Sequence, residues 1–219
     1  MATSVTYNTL VQDVQAYLER GASSTTDATV TAQIPRLINA AERKLAQILK
    51  LLGQIEVLSD VTGLTPGNPV IPKPDRWRQT VSMNYGASSD SNFRTPLFPR
   101  SYEYCRTYWP DDSLTSPPKF YADYGYTSWL IVPTPDVTYP LEITCYMQPP
   151  LLDANNQSNF WTIYCPNALL YGTLVEAMPF LKNDERIPVW ENMYKAEIAT
   201  LSGQDLQRQM DRASERRTV

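Results

Sequence analysis

Apolar residues recur at helical spacing near both ends of the chain and at a spacing of two through its middle. In the first segment Leu10, Val14, Tyr17 and Leu18 share one face, with Thr6 placed to cap the helix and Gly21 to close it. A second, longer stripe runs through Ile34, Leu37, Ile38, Ala41, Leu45, Ile48 and Leu51 and stops at Gly53, with Arg36, Glu42, Arg43 and Lys50 largely off it. Pro35 is expected in the first turn of this helix or at a kink. Helical periodicity resumes at Pro166 with Leu169, Leu170, Leu174, Ala177 and Met178, and Pro179 interrupts it. Pro188 then opens a final helix carrying Val189 or Trp190, Met193, Tyr194, Ile198 and Leu201, which the pattern ends at Gly203.

Between these helices the period drops to two. Fourteen of the eighteen prolines fall between Val61 and Pro150, and turn signals such as Thr65-Pro66-Gly67-Asn68 cut the chain into short pieces. The spacing predicts strands over Ile55–Thr62, Arg78–Tyr85, Lys119–Asp123, Ser128–Val132 and Leu141–Gln148, and a short helix over Tyr102–Tyr108. Because proline cannot donate to a ladder, many of these strands are expected to be edges or to end early. The fold class expected is α+β: an antiparallel-type helical bundle drawn from both chain ends, with an inserted β-rich lobe and a C-terminal arm. The corresponding domains are residues 1–53 with 165–203 for the bundle, 54–164 for the insertion and 204–219 for the arm. In that last segment Leu206 and Met210 are the only sizeable apolar residues before the terminal valine. It reads either as a solvated tail or as an arm that orders on a neighbouring protein.

Charge changes the picture mainly by exclusion. A net charge of −4, with both signs spread along the chain, gives no overall basic field of the kind that holds a phosphate backbone. The N-terminus has neither a basic start nor an apolar run of signal length, and no stretch approaches the roughly 20 apolar residues of a membrane span. A soluble protein made in a cytoplasm is expected, with no membrane partner. The three cysteines, Cys105, Cys145 and Cys165, are odd in number and widely spaced, which suggests reduced core residues. Cys145 sits in an alternation with Leu141, Ile143 and Met147, as a half-buried strand would place it.

The absence of histidine removes the Ser-His-Asp and Cys-His devices and the commonest metal ligand, so no metal or catalytic residue is assigned. The eight glycines are scattered singly, which leaves no phosphate-cradling loop and no cofactor site. Two functional readings remain on composition alone. Tyr121, Tyr124, Tyr126, Trp129 and Tyr139 could line the face of a tail-associated carbohydrate-binding module, although core packing accounts for the same residues. Asp111-Asp112, Asp184-Glu185, Asp123 and Asp136 could supply the carboxylate pair of a hydrolase, although caps and turns account for them.

An ordered series of segments supplies a third reading. Pro118-Lys-Phe-Tyr-Ala-Asp-Tyr-Gly125, Leu130-Ile-Val-Pro-Thr-Pro-Asp136, Leu141 to Pro150, Phe160-Trp161, Pro166-Asn-Ala-Leu-Leu-Tyr-Gly172 and Glu176-Ala-Met-Pro-Phe-Leu181 together resemble the head-to-tail adaptor (connector or head-completion) proteins of tailed bacteriophages. Thr9-Leu10, Ile34-Pro35-Arg-Leu-Ile38 and Ala41-Glu42 extend the likeness toward the N-terminus. The resemblance implies a non-enzymatic virion protein at the head–tail junction. It would form a ring, expected to be a dodecamer, between the portal protein and the tail or nozzle proteins, through which DNA passes without sequence-specific binding. It also implies a C-terminal arm that docks on the portal. There Leu206 and Met210 would serve as apolar anchors, with Arg208, Arg212, Arg216 and Arg217 as donors to carboxylates.

Overall fold

The computed structural model describes residues 5–18, 28–59, 63–86, 94–180 and 185–215. The chain divides into two compact units, one made of residues 1–54 and 148–219 and the other of residues 55–147.

In the first unit, helix α1 (Tyr7–Tyr17) begins where the sequence places it. The Thr6 hydroxyl accepts from the Thr9 amide and Thr9 answers through its own hydroxyl, satisfying two end groups that a helix cannot pair internally. Helix α2 (Ala28–Ile48) carries Ile34, Ile38, Ala41 and Leu45 in the core, and Pro35 stands in its interior instead of its first turn. Helix α4 (Phe160–Tyr164), which the periodicity does not mark, is a single short turn capped by Asn159, and it leads directly into α5 (Pro166–Glu176). Ala168, Leu169, Gly172, Thr173, Leu174 and Val175 of α5 are all buried, so α5 is apolar around most of its circumference. Helices α1, α2, α4 and α6 (Ile187–Glu215) all pack against it.

The second unit holds a seven-stranded sheet ordered β1-β7-β3-β4-β5-β6-β2. Its strands are β1 (Ile55–Ser59), β2 (Val70–Pro72), β3 (Trp77–Tyr85), β4 (Thr95–Pro99), β5 (Phe120–Asp123), β6 (Ser128–Val132) and β7 (Leu141–Met147). Strand β7 is flanked on both sides, by β1 and β3, and its alternation is complete: Leu141, Ile143, Cys145 and Met147 are buried and the residues between are half-buried. Strand β4 pairs antiparallel with the end of β3 and parallel with β5, joining the two halves of the sheet. Helix α3 (Tyr102–Tyr108) lies in this unit and places Cys105 against Ala122, Leu130 and Val132, while Trp129 and Ile131 of the same strand face the larger core on the other side. This is why β6 reads as a continuous apolar run and not as an alternation.

The expected antiparallel helical bundle from both chain ends is not what forms. The protein is a mixed α+β structure in which the seven-stranded sheet is the larger regular element; the helices are of unequal length, from five to 29 residues, with α1, α2, α4 and α6 grouped on the buried α5 and α3 on the sheet. The expectation failed because the prolines were weighted too heavily as breakers. Pro72 lies on the edge strand β2, and Pro96 and Pro99 lie on β4, which makes only a few pairings to each neighbour, so the ladder survives them.

One buried charge organises the first unit. The Glu42 carboxylate, 1% exposed on α2, accepts from the Leu152 amide at 3.1 Å and from the Asn159 side chain. The Asn39 amide nitrogen, oriented by this network, donates to it at 3.1 Å as well. Burial pushes the Glu42 pKa up to about 7, opposed by the Leu152 and Asn159 donors and by nearby Arg43. The folded state therefore holds this proton more tightly than the unfolded chain, whose carboxyl titrates near 4.5. Stability is expected to fall, by roughly 3 kcal/mol, as pH rises from about 4.5 to about 7. With no histidine in the chain, few other groups titrate in that window. Urea unfolding between pH 5 and pH 8 should show the fall in the natural protein and its loss in Glu42→Gln.

Candidate functional site

No reaction centre presents itself, and the surfaces offered for contact are the place to look for function. Helix α6 is the first. Pro188 sits in its first turn, where a missing amide proton is harmless, and Trp190 and Tyr194 are buried one turn apart with Ile198 and Leu201 packed behind them. The Tyr194 ring lies against Gly172 of α5, where a β-carbon would stand 3.1 Å from it, so glycine is what lets the two helices approach. Among the residues whose side chains are described, Leu201 is the last packed on the core, and Ser202, Gly203 and Gln204 are exposed.

The helix does not stop at Gly203 as the sequence pattern suggests. Gly203 has open space around it, and the backbone stays helical to Glu215, giving 29 residues or about 43 Å. An interior glycine weakens a helix by roughly 1 kcal/mol but does not end one when good helix formers follow, as Gln204, Leu206, Gln207 and Arg208 do here. Positions 206 and 210 fall four apart on this backbone, and positions 208 and 212 share a different face. Arg216 and Arg217 lie outside the described residues, as do the side chains of Leu206, Arg208, Met210 and Arg212.

The aromatic series does not make one face. Trp129 and Tyr121 are in the core, with the Trp129 indole donating to Thr80 Oγ1 at 3.2 Å and packed edge-on against Trp77. Tyr124 and Tyr126 are exposed, and the Tyr139 hydroxyl donates to Asp136 at 2.7 Å, with burial first and that carboxylate second pushing the phenol up to about 12.

The carboxylates considered for hydrolysis have separate tasks. Asp123 pairs with Lys73 at 2.6 Å, Asp112 pairs with Arg106 at 2.6 Å, and Asp111 accepts from the Ser113 amide and hydroxyl. Glu185 is an exposed residue just before α6, and Asp184 lies outside the described residues. Sequence reasoning missed Lys73. Its side chain is 3% exposed, its ammonium also donates to the Gly125 carbonyl at 2.9 Å, and it stands 3.7 Å from the centroid of the Trp77 ring. The partners are some 50 residues apart in sequence, so no local spacing could reveal them.

All three cysteines are buried free thiols, and burial pushes Cys145 and Cys165 up to about 11. Among the described residues no three Cys, Asp or Glu side chains come together as a metal site requires, and no helix is long and apolar enough to cross a membrane.

A second candidate contact surface is a groove of about 480 Å³ where β4 passes from β3 to β5, lined by Tyr85, Pro96, Phe98, Pro118 and Phe120 with Arg100 at its side. Phe98 is 54% exposed there. Large exposed apolar side chains in a concavity mark a surface that meets another molecule. The proline–aromatic alternation of Thr95–Pro99 is the available signal for it, in a segment where the spacing predicts no strand.

An exposed apolar groove, with Asp111, Asp112 and Asp123 engaged in a turn and in ion pairs, suits a protein of assembly. Residues 5–219 match the family described as SU10 adaptor protein, and the chain belongs to that family. It is a head-to-tail adaptor of a tailed bacteriophage and a structural component of the virion. A comparison with curated protein sequences gives no match.

Trp129→Ala is expected to destabilise the sheet unit by about 3–5 kcal/mol, because it empties a fully buried site and removes the indole packed edge-on against Trp77. Tyr126→Ala, at a site 75% exposed, should change stability by less than about 0.5 kcal/mol. Denaturant midpoints of the two variants test this assignment of core against surface.

Proposed function

We propose that the protein assembles as a ring, expected to be a dodecamer, between the capsid portal and the tail or nozzle of a tailed phage, leaving a channel for DNA. Residues 204–219 act as the arm that docks on the portal, and the sheet unit meets the tail proteins through its apolar groove. The ring forms at the head–tail junction of the virion from chains made in the host cytoplasm.

The observation that carries this reading is the reach of α6. Fourteen helical residues, 202–215, follow Leu201, the last packed on the core among the residues whose side chains are described, a length of about 21 Å. A helix that long is not stabilised by its own backbone alone and is usually supported by packing. A partner surface would supply that support. Leu206 and Met210 would anchor it, and Arg208, Arg212, Arg216 and Arg217 would donate to carboxylates. In a ring the arms are presented together, so weak single contacts add to firm attachment through effective concentration. The net charge of −4 suits a passage through which DNA slides without sequence-specific binding.

Deleting residues 204–219 should abolish co-sedimentation with portal rings while leaving the thermal unfolding of the remainder nearly unchanged. Electron microscopy of the full chain mixed with portal should show an added ring layer. A truncated protein that still binds would refute the arm.

A further inference from the structure

The net charge of the chain conceals a local excess of one sign. Along α2 and just past its end, the exposed charged residues are Arg36, Arg43, Lys44 and Lys50, and the only carboxylate of the segment, Glu42, is buried. Arg36 and Arg43 are seven residues apart, two turns, and so share a face with about 10 Å between them along the axis. They border an open groove of about 810 Å³ with Asn39, Ala40, Gln47 and the Lys44–Glu176 pair. Lys44 is spent on Glu176 at 2.8 Å. Arg36, Arg43 and Lys50 take part in none of the ion pairs among the described residues.

We propose that this face of α2 is a docking stripe for the phosphate backbone of duplex DNA, held by Arg36 and Arg43 with Lys50 at its end. The composition of the groove favours a polyanion over a protein. Its lining is two guanidinium groups, two side-chain amides, the mutually neutralised Lys44–Glu176 pair and one alanine, with no aromatic residue, whereas the centre of a protein–protein interface is enriched in aromatics. Side-chain amides and guanidinium groups are the common donors to phosphate oxygens, and such contacts carry no sequence information. Two or three cations give a shallow hold that salt removes readily, compatible with DNA that must move past. The inference deepens the ring reading by naming the surface that faces the DNA, and it rests on that reading only for where the DNA comes from.

The test uses the free full-length chain, without portal, and a fluorescent duplex of about 20 base pairs at about 50 mM salt. Fluorescence anisotropy should show weak binding with no sequence preference and a log–log salt slope of about −2 to −3, matching two or three phosphate contacts. Arg36→Glu with Arg43→Glu should weaken binding at least tenfold. The control Arg100→Glu with Lys119→Glu, which changes net charge equally on the sheet unit, should leave it within about twofold. Circular dichroism confirms that both variants fold. Absence of binding by the natural chain, or equal loss in both double variants, overturns the stripe. So does a stripe variant that keeps its DNA affinity but loses an acidic protein partner. Portal co-sedimentation of the same variants reports separately on the ring, so either idea can fail alone.

Discussion

A carboxylate with almost no access to water, Glu42, is the constraint on which the first unit depends. An isolated buried charge is costly, and this one is held because three N–H donors converge on it. Two of them come from a segment more than 100 residues away, so satisfying the charge fixes where the returning chain must lie. The consequences spread from Asn159. Its side-chain nitrogen serves Glu42 and the Pro150 carbonyl, while its oxygen caps α4 through the Trp161 and Thr162 amides. Helix α4 in turn sinks Trp161 and hands the chain to α5, the buried helix on which the others pack. The same returning loop receives α1, through the Gln157 carbonyl and the Tyr7 amide. Removing the side chain and its accepting oxygens would leave these donors unsatisfied in a dry interior, which is the expensive half of hydrogen-bond energetics.

The sheet unit is held by a different device. Its core lies between two sets of strands joined by β4, whose prolines limit pairing but not continuity. Lys73 fastens β2 to the turn after β5, combining an ion pair, a carbonyl acceptor and an indole face around one desolvated ammonium. The described surface includes an apolar groove beside Phe98 on the sheet unit and a row of cations along α2. Such a surface suits a molecule that works by fitting against others.

Much of the fold is legible in local pattern. Ser128–Val132 and Tyr102–Tyr108 appear with the expected bounds, and the alternation from Leu141 to Met147 gives the burial of β7 residue by residue. The capping of α1 by Thr6 and the opening of α5 at Pro166 are equally readable, because each rests on chemistry within four residues. What was not legible is non-local or depends on a balance. The Glu42 and Lys73 networks are set by partners 50 to 117 residues apart, and the seven-strand order brings together strands as distant in sequence as β1 and β7. Strands β2 and β4 were hidden by their prolines, which local reading counts as breakers although edge or sparse pairing tolerates them. The passage of α6 through Gly203 was hidden likewise, because a single glycine is a penalty and not a stop. Of the candidate contact surfaces, only the arm could be anticipated. The apolar groove requires knowing that Tyr85, Phe98 and Phe120 become neighbours, and the α2 stripe is masked by an acidic total.

The way the chain enters and leaves the sheet has a consequence for the helical unit. Ile55 opens β1 directly opposite Tyr146 near the end of β7, so the two crossing points are on adjacent antiparallel strands about 5 Å apart. A gap that small could be bridged by a tight turn. The carboxylate network around Glu42 closes on Asn39, Leu152 and Asn159, all within the helical unit, so none of its donors is borrowed from the sheet.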